Sequence, residues 1–352
     1  MKILEIACHE VLEKDTVNIL TELGHDISSN SFFLIPHEPL TKVRPPTKNK
    51  ADYTFINQFR EANPGFQLPS MVPNSGVCKL TLEMLDRFDL VIIDYYPWVL
   101  TINEEVLKKT KARIILRTIA FGSRYQEEFY VYAKKYRPDI KIVRMSERER
   151  MCEIYAGEDA IIRQCYDPDE FLPWTGSKQQ ILTINKMFLK RADSCGFWEY
   201  MEVMQPFEKE RLLVGFENED IDFNKNLSYE DLKLALSESM VYFATFSKPA
   251  GFVTYATVEA MCSGLPIVSF NERGNWNGLP TYQVEKFIEQ GVTGYYSDDI
   301  TNLQGFLSGL LNDRELCKRI GEAGRKKGLS LFHKDIIKAQ WKEVLDDIGR
   351  KS

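Results

Sequence analysis

The sequence predicts an α/β protein with two Rossmann-like, doubly wound parallel-sheet domains. Its 352 residues exceed the roughly 250–300 residues that one hydrophobic core usually serves, so two domains are expected. Short apolar runs recur along the chain, and segments with helical spacing separate them. These runs are uninterrupted, as in strands that helices cover on both faces. Together the three observations favour parallel sheets.

The first domain begins with a β-α-β unit. "KILEIA" is predicted as a strand, and "EKDTVNILTELGHDI" gives a helix that Gly24 closes before an extended run. Further strands are predicted at "FDLVIIDYY", "ARIILRTIA" and "KIVRMS". The helical segments between them make this half a doubly wound sheet.

The second domain repeats the alternation after a segment rich in proline, glycine and polar residues. We predict a first domain at 1–166, a linker at 167–180 and a second domain at 181–330. Residues 331–352 form an amphipathic helix that is expected to pack back on the first domain. Two such domains facing one another would place a ligand cleft at the carboxyl ends of their strands.

Composition excludes several classes of protein. A net charge of −6 argues against a dedicated nucleic-acid binder. Basic residues nevertheless outnumber acids within 108–150. This excess either forms a solvated helical face or attracts an anionic acceptor. The seven cysteines lack the spacing of a metal site and suit a reducing compartment. No apolar run reaches the roughly 18 residues of a membrane span. The expected location is the cytoplasm, or the host cytoplasm for a virus-encoded protein.

The stretch "FATFSKPAGFVTYATVEAMCSGLPIV" has the features of a phosphate site. Thr254 can cap the helix that follows, and Gly251 lets backbone approach a ligand closely. A helix start offers free amides and a positive dipole end. Glu259 lies about one and a half turns into this helix and can accept hydrogen bonds from ribose hydroxyls.

A second candidate group lies in "TINKMFLKRAD". Lys186 and Arg191 follow the predicted end of a strand, either as ordinary surface residues or as contacts for a diphosphate leaving group.

Six motifs in order resemble the nucleotide-sugar-binding domain of family-4 retaining glycosyltransferases, which have the glycosyltransferase-B fold. The resemblance covers residues 167 to the end of the chain. Its motifs are "YDPDEFLP", "TINKMFLKR", "IDFNKNLSYEDL", "VEAMCSGLPIV", "IEQGVTGYYS" and "LLNDRELCKRIGEAGRKKGLSLF".

The resemblance implies roles for particular residues. Glu259 takes the place of the second acid of the family's Glu-x7-Glu motif, which binds ribose, while Gly251 stands where the first Glu is usual. Lys186 and Arg191 take the places of the pair that holds the diphosphate. The base-contacting positions fall on Asn226 and Leu227, and the loop of Gly251, Phe252, Val253 and Thr254 would hold phosphate and sugar.

The expected activity is transfer of a hexose or pentose, with retention, from a UDP- or GDP-linked sugar to a hydroxyl. No Asp-x-Asp motif stands at the end of a predicted strand, so we expect no metal and no cofactor besides this co-substrate. His9 is expected to contact donor or acceptor, and Arg117 is a substitute for a family histidine. The acceptor is a glycan, lipid-linked sugar or small molecule, or an anionic one such as modified DNA. A nucleotide-sugar epimerase and a degenerate nucleotide-binding module remain alternatives.

Overall fold

The computed structural model describes residues 1–7, 9–30, 52–64, 78–95, 97–118, 124–248, 253–275 and 282–350. It contains two six-stranded sheets, and every strand pairing in them is parallel. Parallel neighbours require crossover connections, which helices provide. The prediction of two doubly wound parallel sheets is confirmed.

The first sheet has the strand order β2-β1-β3-β4-β5-β6. Its strands are β1 (Lys2–Ile6), β2 (Asp26–Ser29), β3 (Leu90–Asp94), β4 (Arg113–Arg117), β5 (Lys141–Arg144) and β6 (Ala160–Ile161). The accompanying helices are α1 (Glu10–Glu22), α2 (Tyr53–Ala62), α3 (Leu82–Leu85), α4 (Pro97–Ile102), α5 (Glu104–Lys109) and α6 (Arg124–Tyr136). The predicted strands therefore form where the apolar runs lie, and Gly24 has the positive φ of 84° expected after a helix end.

The second sheet has the strand order β12-β11-β10-β7-β8-β9. Its strands are β7 (Lys178–Ile184), β8 (Arg211–Val214), β9 (Asn224–Lys225), β10 (Ser239–Ala244), β11 (Ile267–Ser269) and β12 (Tyr295–Tyr296). Between them lie α7 (Ala192–Cys195), α8 (Phe197–Met204), α9 (Tyr229–Glu238), α10 (Tyr255–Ser263) and α11 (Val284–Phe287). The chain closes with α12 (Ile300–Asn312), α13 (Arg314–Phe332) and α14 (Lys334–Arg350).

The chain divides into two compact units. The first comprises Met1–Arg163 and Ile337–Ser352, and the second comprises Gln164–Ile336. Each has its own hydrophobic core against its sheet, around residues such as Val91 in β3 and Val241 in β10. Burying one such side chain contributes about 1.5–3 kcal/mol.

The segment predicted as a linker is attached to the second unit. The backbone amides of Thr175 and Gly176 donate to the carbonyl oxygen of Ser237, at 2.7 and 3.1 Å. The indole Nε1 of Trp174 donates to the carbonyl oxygen of Ser239 at 2.7 Å. Because these bonds fix the segment to the start of β10, residues 167–180 form part of this unit.

Candidate functional site

The strand order of the second sheet reverses between β7 and β10. The strands β8 and β9 lie on one side of β7, whereas β10, β11 and β12 lie on the other. In open parallel sheets, ligands bind outside the carboxyl ends of the strands at such a switch point. The candidate site is therefore the crevice where β7 and β10 end.

Polar side chains bridge this crevice. Asn185, the first residue after β7, donates from Nδ2 to the hydroxyl oxygen of Thr245 at 3.0 Å. Arg191 donates from Nη2 to the hydroxyl oxygen of Ser247 at 2.7 Å. Thr245 and Ser247 both follow β10, so the fold joins the ends of two strands that are distant in sequence.

Lys186, the other predicted cation, points toward β8, the strand on the opposite side of β7 from β10. The Nζ atom of Lys186 lies 3.0 Å from a carboxylate oxygen of Glu217, which follows β8. Both side chains are about two-fifths exposed, so water and a ligand can reach them. Lys186 and Arg191 thus lie on opposite sides of the β7 end.

The backbone at these strand ends is strained. Met187 has a φ of 54° and Glu217 a φ of 58°, in the left-handed region that residues other than glycine rarely adopt. Such a conformation costs about 1–3 kcal/mol and is found most often at functional sites. The amide of Met187 donates to the carbonyl oxygen of Phe216 at 3.0 Å, which ties the two strained segments together.

A buried asparagine, Asn218, organises the same loops. Its Nδ2 donates to the carbonyl oxygen of Asn185 at 2.7 Å, and its Oδ1 accepts from the amide of Phe188 at 2.6 Å. Gly215 is required beside it, because a Cβ there would lie 1.8 Å from the Asn185 carbonyl oxygen. Sequence reasoning missed both residues, although polar residues and a glycine directly after an apolar strand are the signal that could have found them.

Helix α10 follows β10 and begins near the carboxyl ends of these strands. The predicted cap is confirmed, since the hydroxyl oxygen of Thr254 accepts from the amide of Thr257 at 3.2 Å. Glu259 lies in the middle of the helix and is buried, with 6% of its surface exposed. The carbonyl oxygen of Val253 accepts from Nε2 of the buried Gln164 at 2.7 Å. Gly251 and Phe252 lie outside the described residues.

The two residues predicted near the base follow β9. The Oδ1 atom of Asn226 accepts from Nδ2 of Asn224 at 3.3 Å, and Asn224 in turn donates to the carbonyl oxygen of Gly215 at 2.9 Å. Leu227 is partly buried and packs against the core. A contact with a nucleotide base stays a prediction for both.

In the first unit, His9 follows β1, beside the point where that sheet also reverses its order, between β1 and β3. It is half-buried and precedes the first residue of α1. Its contact with donor or acceptor stays a prediction.

Arg117 is buried in the interior of the first unit. Its guanidinium donates to the hydroxyl oxygen of Thr16 at 2.6 Å and to the carboxylates of Asp94 and Glu5, and only 3% of the side chain is exposed. Burial raises the pKa of Glu5, and the neighbouring Asp94 raises it further. The indole of Trp341 lies 5.6 Å from the guanidinium carbon. These groups enclose Arg117 in the interior of the first unit, and its role as the substitute for a family histidine stays a prediction.

The basic stretch within 108–150 carries little uncompensated charge. Its cations that lie within 4.0 Å of a carboxylate are Lys108, Lys109, Arg117, Arg124, Lys134, Arg137, Lys141, Arg144 and Arg150. Arg144 is completely buried between Glu127 and Glu149. Most of this stretch is therefore paired within the unit.

Two features are absent from the described part of the chain. Among those residues, no group of three His, Cys, Asp or Glu side chains is arranged to hold a metal ion. None of the described helices is long and apolar enough to cross a membrane.

The fold is that of glycosyltransferases with the glycosyltransferase-B fold, as predicted. Solved structures of such enzymes match the whole chain, at identities too low to show more than the fold. No protein-family model and no curated protein matches the sequence.

Three of these structures illustrate the likeness. A sucrose-phosphate synthase from Thermosynechococcus elongatus is 13% identical with a TM-score of 0.67, covering 100% of both chains. HepE from Anabaena, solved with UDP and glucose, is 12% identical with a TM-score of 0.66, covering 98% of both. A glycosyltransferase from Rickettsia africae is 14% identical with a TM-score of 0.66, covering 100% of this chain and 99% of its own.

Proposed function

We propose that this chain is a glycosyltransferase that moves a sugar from a nucleoside-diphosphate sugar to a hydroxyl acceptor. The observation that carries the proposal is the position of Lys186 and Arg191, on opposite sides of the β7 end at the switch point of the second sheet. Charge-assisted contacts from two cations suit a diphosphate. HepE, which shares the fold, was solved in complex with UDP and glucose, and this supports a UDP-linked donor.

The proposed mechanism stabilises the leaving group. As the bond to the sugar breaks, negative charge grows on the diphosphate, and preorganised cations and amides lower the energy of that state. Lys186, Arg191 and the first amides of α10 would supply this stabilisation, while Glu259 would bind the ribose hydroxyls. The leaving phosphate can accept the proton of the acceptor hydroxyl, so a protein base is unnecessary. His9 is proposed to contact donor or acceptor.

We further propose that the reaction proceeds with retention and without a metal ion. Retention rests on the resemblance of residues 167–352 to family-4 enzymes. The test is the anomeric configuration of the product, read by NMR, and the rate before and after treatment with a chelator. An inverted product, or a rate that collapses with chelator and returns with a divalent cation, contradicts this part.

The acceptor is proposed to be a neutral glycan, a lipid-linked sugar or a small molecule. The pairing of most cations within 108–150 supports this choice over an anionic acceptor such as modified DNA. Binding to a polyanion weakens steeply as salt rises, whereas binding to a neutral glycan does not. A steep salt dependence of acceptor binding would reverse the preference.

The experiment incubates the full chain with a panel of UDP- and GDP-linked sugars and measures release of the nucleoside diphosphate. We expect Lys186→Gln and Arg191→Gln to lose at least about tenfold in rate, equivalent to about 1.4 kcal/mol of transition-state stabilisation. Lys190→Gln is the matched control, since Lys190 is a neighbouring exposed cation 3.9 Å from Glu219. Nucleotide binding without turnover indicates a binding module, and inversion at C2 of the released sugar indicates an epimerase.

A further inference from the structure

A pocket lies at the opposite end of the strands of the second sheet from the candidate donor site. It has a volume of about 400 Å³, and its lining includes Trp174, Arg314, Glu315, Lys318, Glu322 and Arg325. Ser263 and Gly264, between the end of α10 and the start of β11, also line it. Because Trp174 bonds to the first residue of β10, this pocket faces the amino ends of the strands. The strand β7 separates it from the candidate donor site by roughly 20 Å at about 3.3 Å per residue.

The tryptophan in this pocket is held in place. Its Nε1 donates to the carbonyl oxygen of Ser239 at 2.7 Å. Gly176 packs against the ring so closely that a Cβ there would lie 2.3 Å from a ring carbon. A ring fixed in this way offers an apolar surface whose own ordering costs little entropy on binding.

The charged side chains of the pocket are available for a ligand. Arg314, Lys318 and Arg325 come from α13, together with Glu315 and Glu322. Within the described ranges, none of these five forms an ion pair, and the guanidinium of Arg314 donates to the carbonyl oxygen of Thr175 at 2.6 Å. Three cations against two carboxylates leave the pocket with a net positive charge.

We propose that this pocket binds a small phosphorylated sugar. The phosphate would contact Lys318, Arg325 and Arg314, because guanidinium and ammonium groups make charge-assisted hydrogen bonds to phosphate oxygens. The carboxylates of Glu315 and Glu322 accept hydrogen bonds and suit sugar hydroxyls. The indole of Trp174 provides a flat apolar surface for the sugar ring.

The size of the pocket limits the ligand. Small-molecule sites usually occupy about 300–1,000 Å³, and this one is at the lower end of that range. A monosaccharide phosphate fits such a volume. Carboxylates on the wall favour a ring with many hydroxyls over a nucleotide base.

The test is isothermal titration calorimetry on the full chain with glucose 6-phosphate, inorganic phosphate, glucose and uridine monophosphate. The titrations are made with excess UDP, so that the proposed donor site is already filled. We expect one molecule of glucose 6-phosphate to bind at least about tenfold more tightly than each of the other three probes. This inference does not depend on the proposed function, since UDP is expected neither to compete nor to be required.

Variants assign the binding to this pocket. Lys318→Gln is expected to weaken binding of glucose 6-phosphate at least about tenfold, and the Lys318→Gln, Arg325→Gln double variant to abolish it. Lys326→Gln, an exposed lysine of the same helix outside the pocket, and Lys186→Gln at the donor site should bind as the wild type does. Thermal unfolding checks that Lys318→Gln is folded, which its exposed position favours.

Several results would overturn the inference. They are no binding of glucose 6-phosphate, equal binding of inorganic phosphate, tighter binding of uridine monophosphate, competition by UDP, or unchanged binding in folded Lys318→Gln. Failure of glycosyl transfer with intact glucose 6-phosphate binding would refute only the proposed function.

Discussion

The ammonium group of Lys186 and the carboxylate of Glu217 lie 3.0 Å apart, at the carboxyl ends of two adjacent strands. Glu217 holds its position with a left-handed backbone. A cation proposed to bind diphosphate therefore already has an anionic partner, which the ligand has to displace.

Replacing this partner should strengthen nucleotide binding. We expect Glu217→Gln to bind UDP about two- to fivefold more tightly, because an exposed ion pair contributes about 0–1 kcal/mol that the ligand no longer has to overcome. Calorimetry with UDP measures the change. Glu219→Gln, whose partner is Lys190, is the matched control and should leave the affinity unchanged. Weaker binding in Glu217→Gln would mean that the carboxylate itself contacts the ligand.

The proposed ribose contact gives a separate prediction. Glu259→Gln should reduce turnover at least about tenfold, or about 1.4 kcal/mol. The amide keeps the size of this buried side chain, so the variant is expected to fold. The free energy of unfolding is measured in parallel to check this. Wild-type turnover in a folded variant would remove Glu259 from the donor site.

Gly215 should be sensitive to a single methyl group. Gly215→Ala places a Cβ 1.8 Å from the carbonyl oxygen of Asn185, so the ends of β7 and β8 must move apart. We expect a loss of about 1–3 kcal/mol in the free energy of unfolding, measured with denaturant. Gly309→Ala in α12 is the control, because the added Cβ meets no described atom within 4 Å and alanine favours the helix by about 0.5–1 kcal/mol. Equal stability of the two variants would contradict the close approach.

Glu149 makes the stability of the first unit depend on pH. Burial raises the pKa of its carboxyl from 4.5 to about 7, because the effects of Arg144 and Thr118 only partly offset it. The folded protein therefore binds this proton more tightly than the unfolded chain. This tighter proton binding stabilises the folded state, and its contribution is complete below pH 4.5. The contribution to the free energy of unfolding, at most about 3 kcal/mol, is lost as the pH rises from 4.5 to 7.

The comparison between wild type and Glu149→Gln isolates this effect. We expect the difference in the free energy of unfolding between the two proteins to change from pH 4.5 to 7 and to stay constant above that range. A difference that is constant over the whole range would show that the carboxyl titrates normally.

Arg117 should behave as an interior residue. Arg117→Gln leaves Glu5 and Asp94 buried without their cation, and breaking a buried ion pair costs about 3–5 kcal/mol. Chemical denaturation measures the loss, with Lys135→Gln on the exposed surface of α6 as the control. Full stability combined with lost turnover would instead support the predicted catalytic role of Arg117.

Apolar runs predicted the sheets because strands such as Leu90–Asp94 are buried on both faces and leave an unbroken signal. Lys186 and Arg191 could be placed at a strand end for the same reason. Their partners could not, since Ser247 lies 56 residues from Arg191 and becomes its neighbour only through the strand order. Likewise, nothing in "LRTIAFGS" indicates that two carboxylates surround Arg117.

The first unit is assembled from both ends of the chain. Trp341, in its final helix, covers Arg117 only after the whole second unit has been synthesised. During synthesis, the charged cluster of Arg117, Glu5 and Asp94 is therefore completely enclosed only after Trp341 has been added. A nascent chain stopped before Ile337 should expose this cluster to water, and to chaperones, while its second unit can already fold.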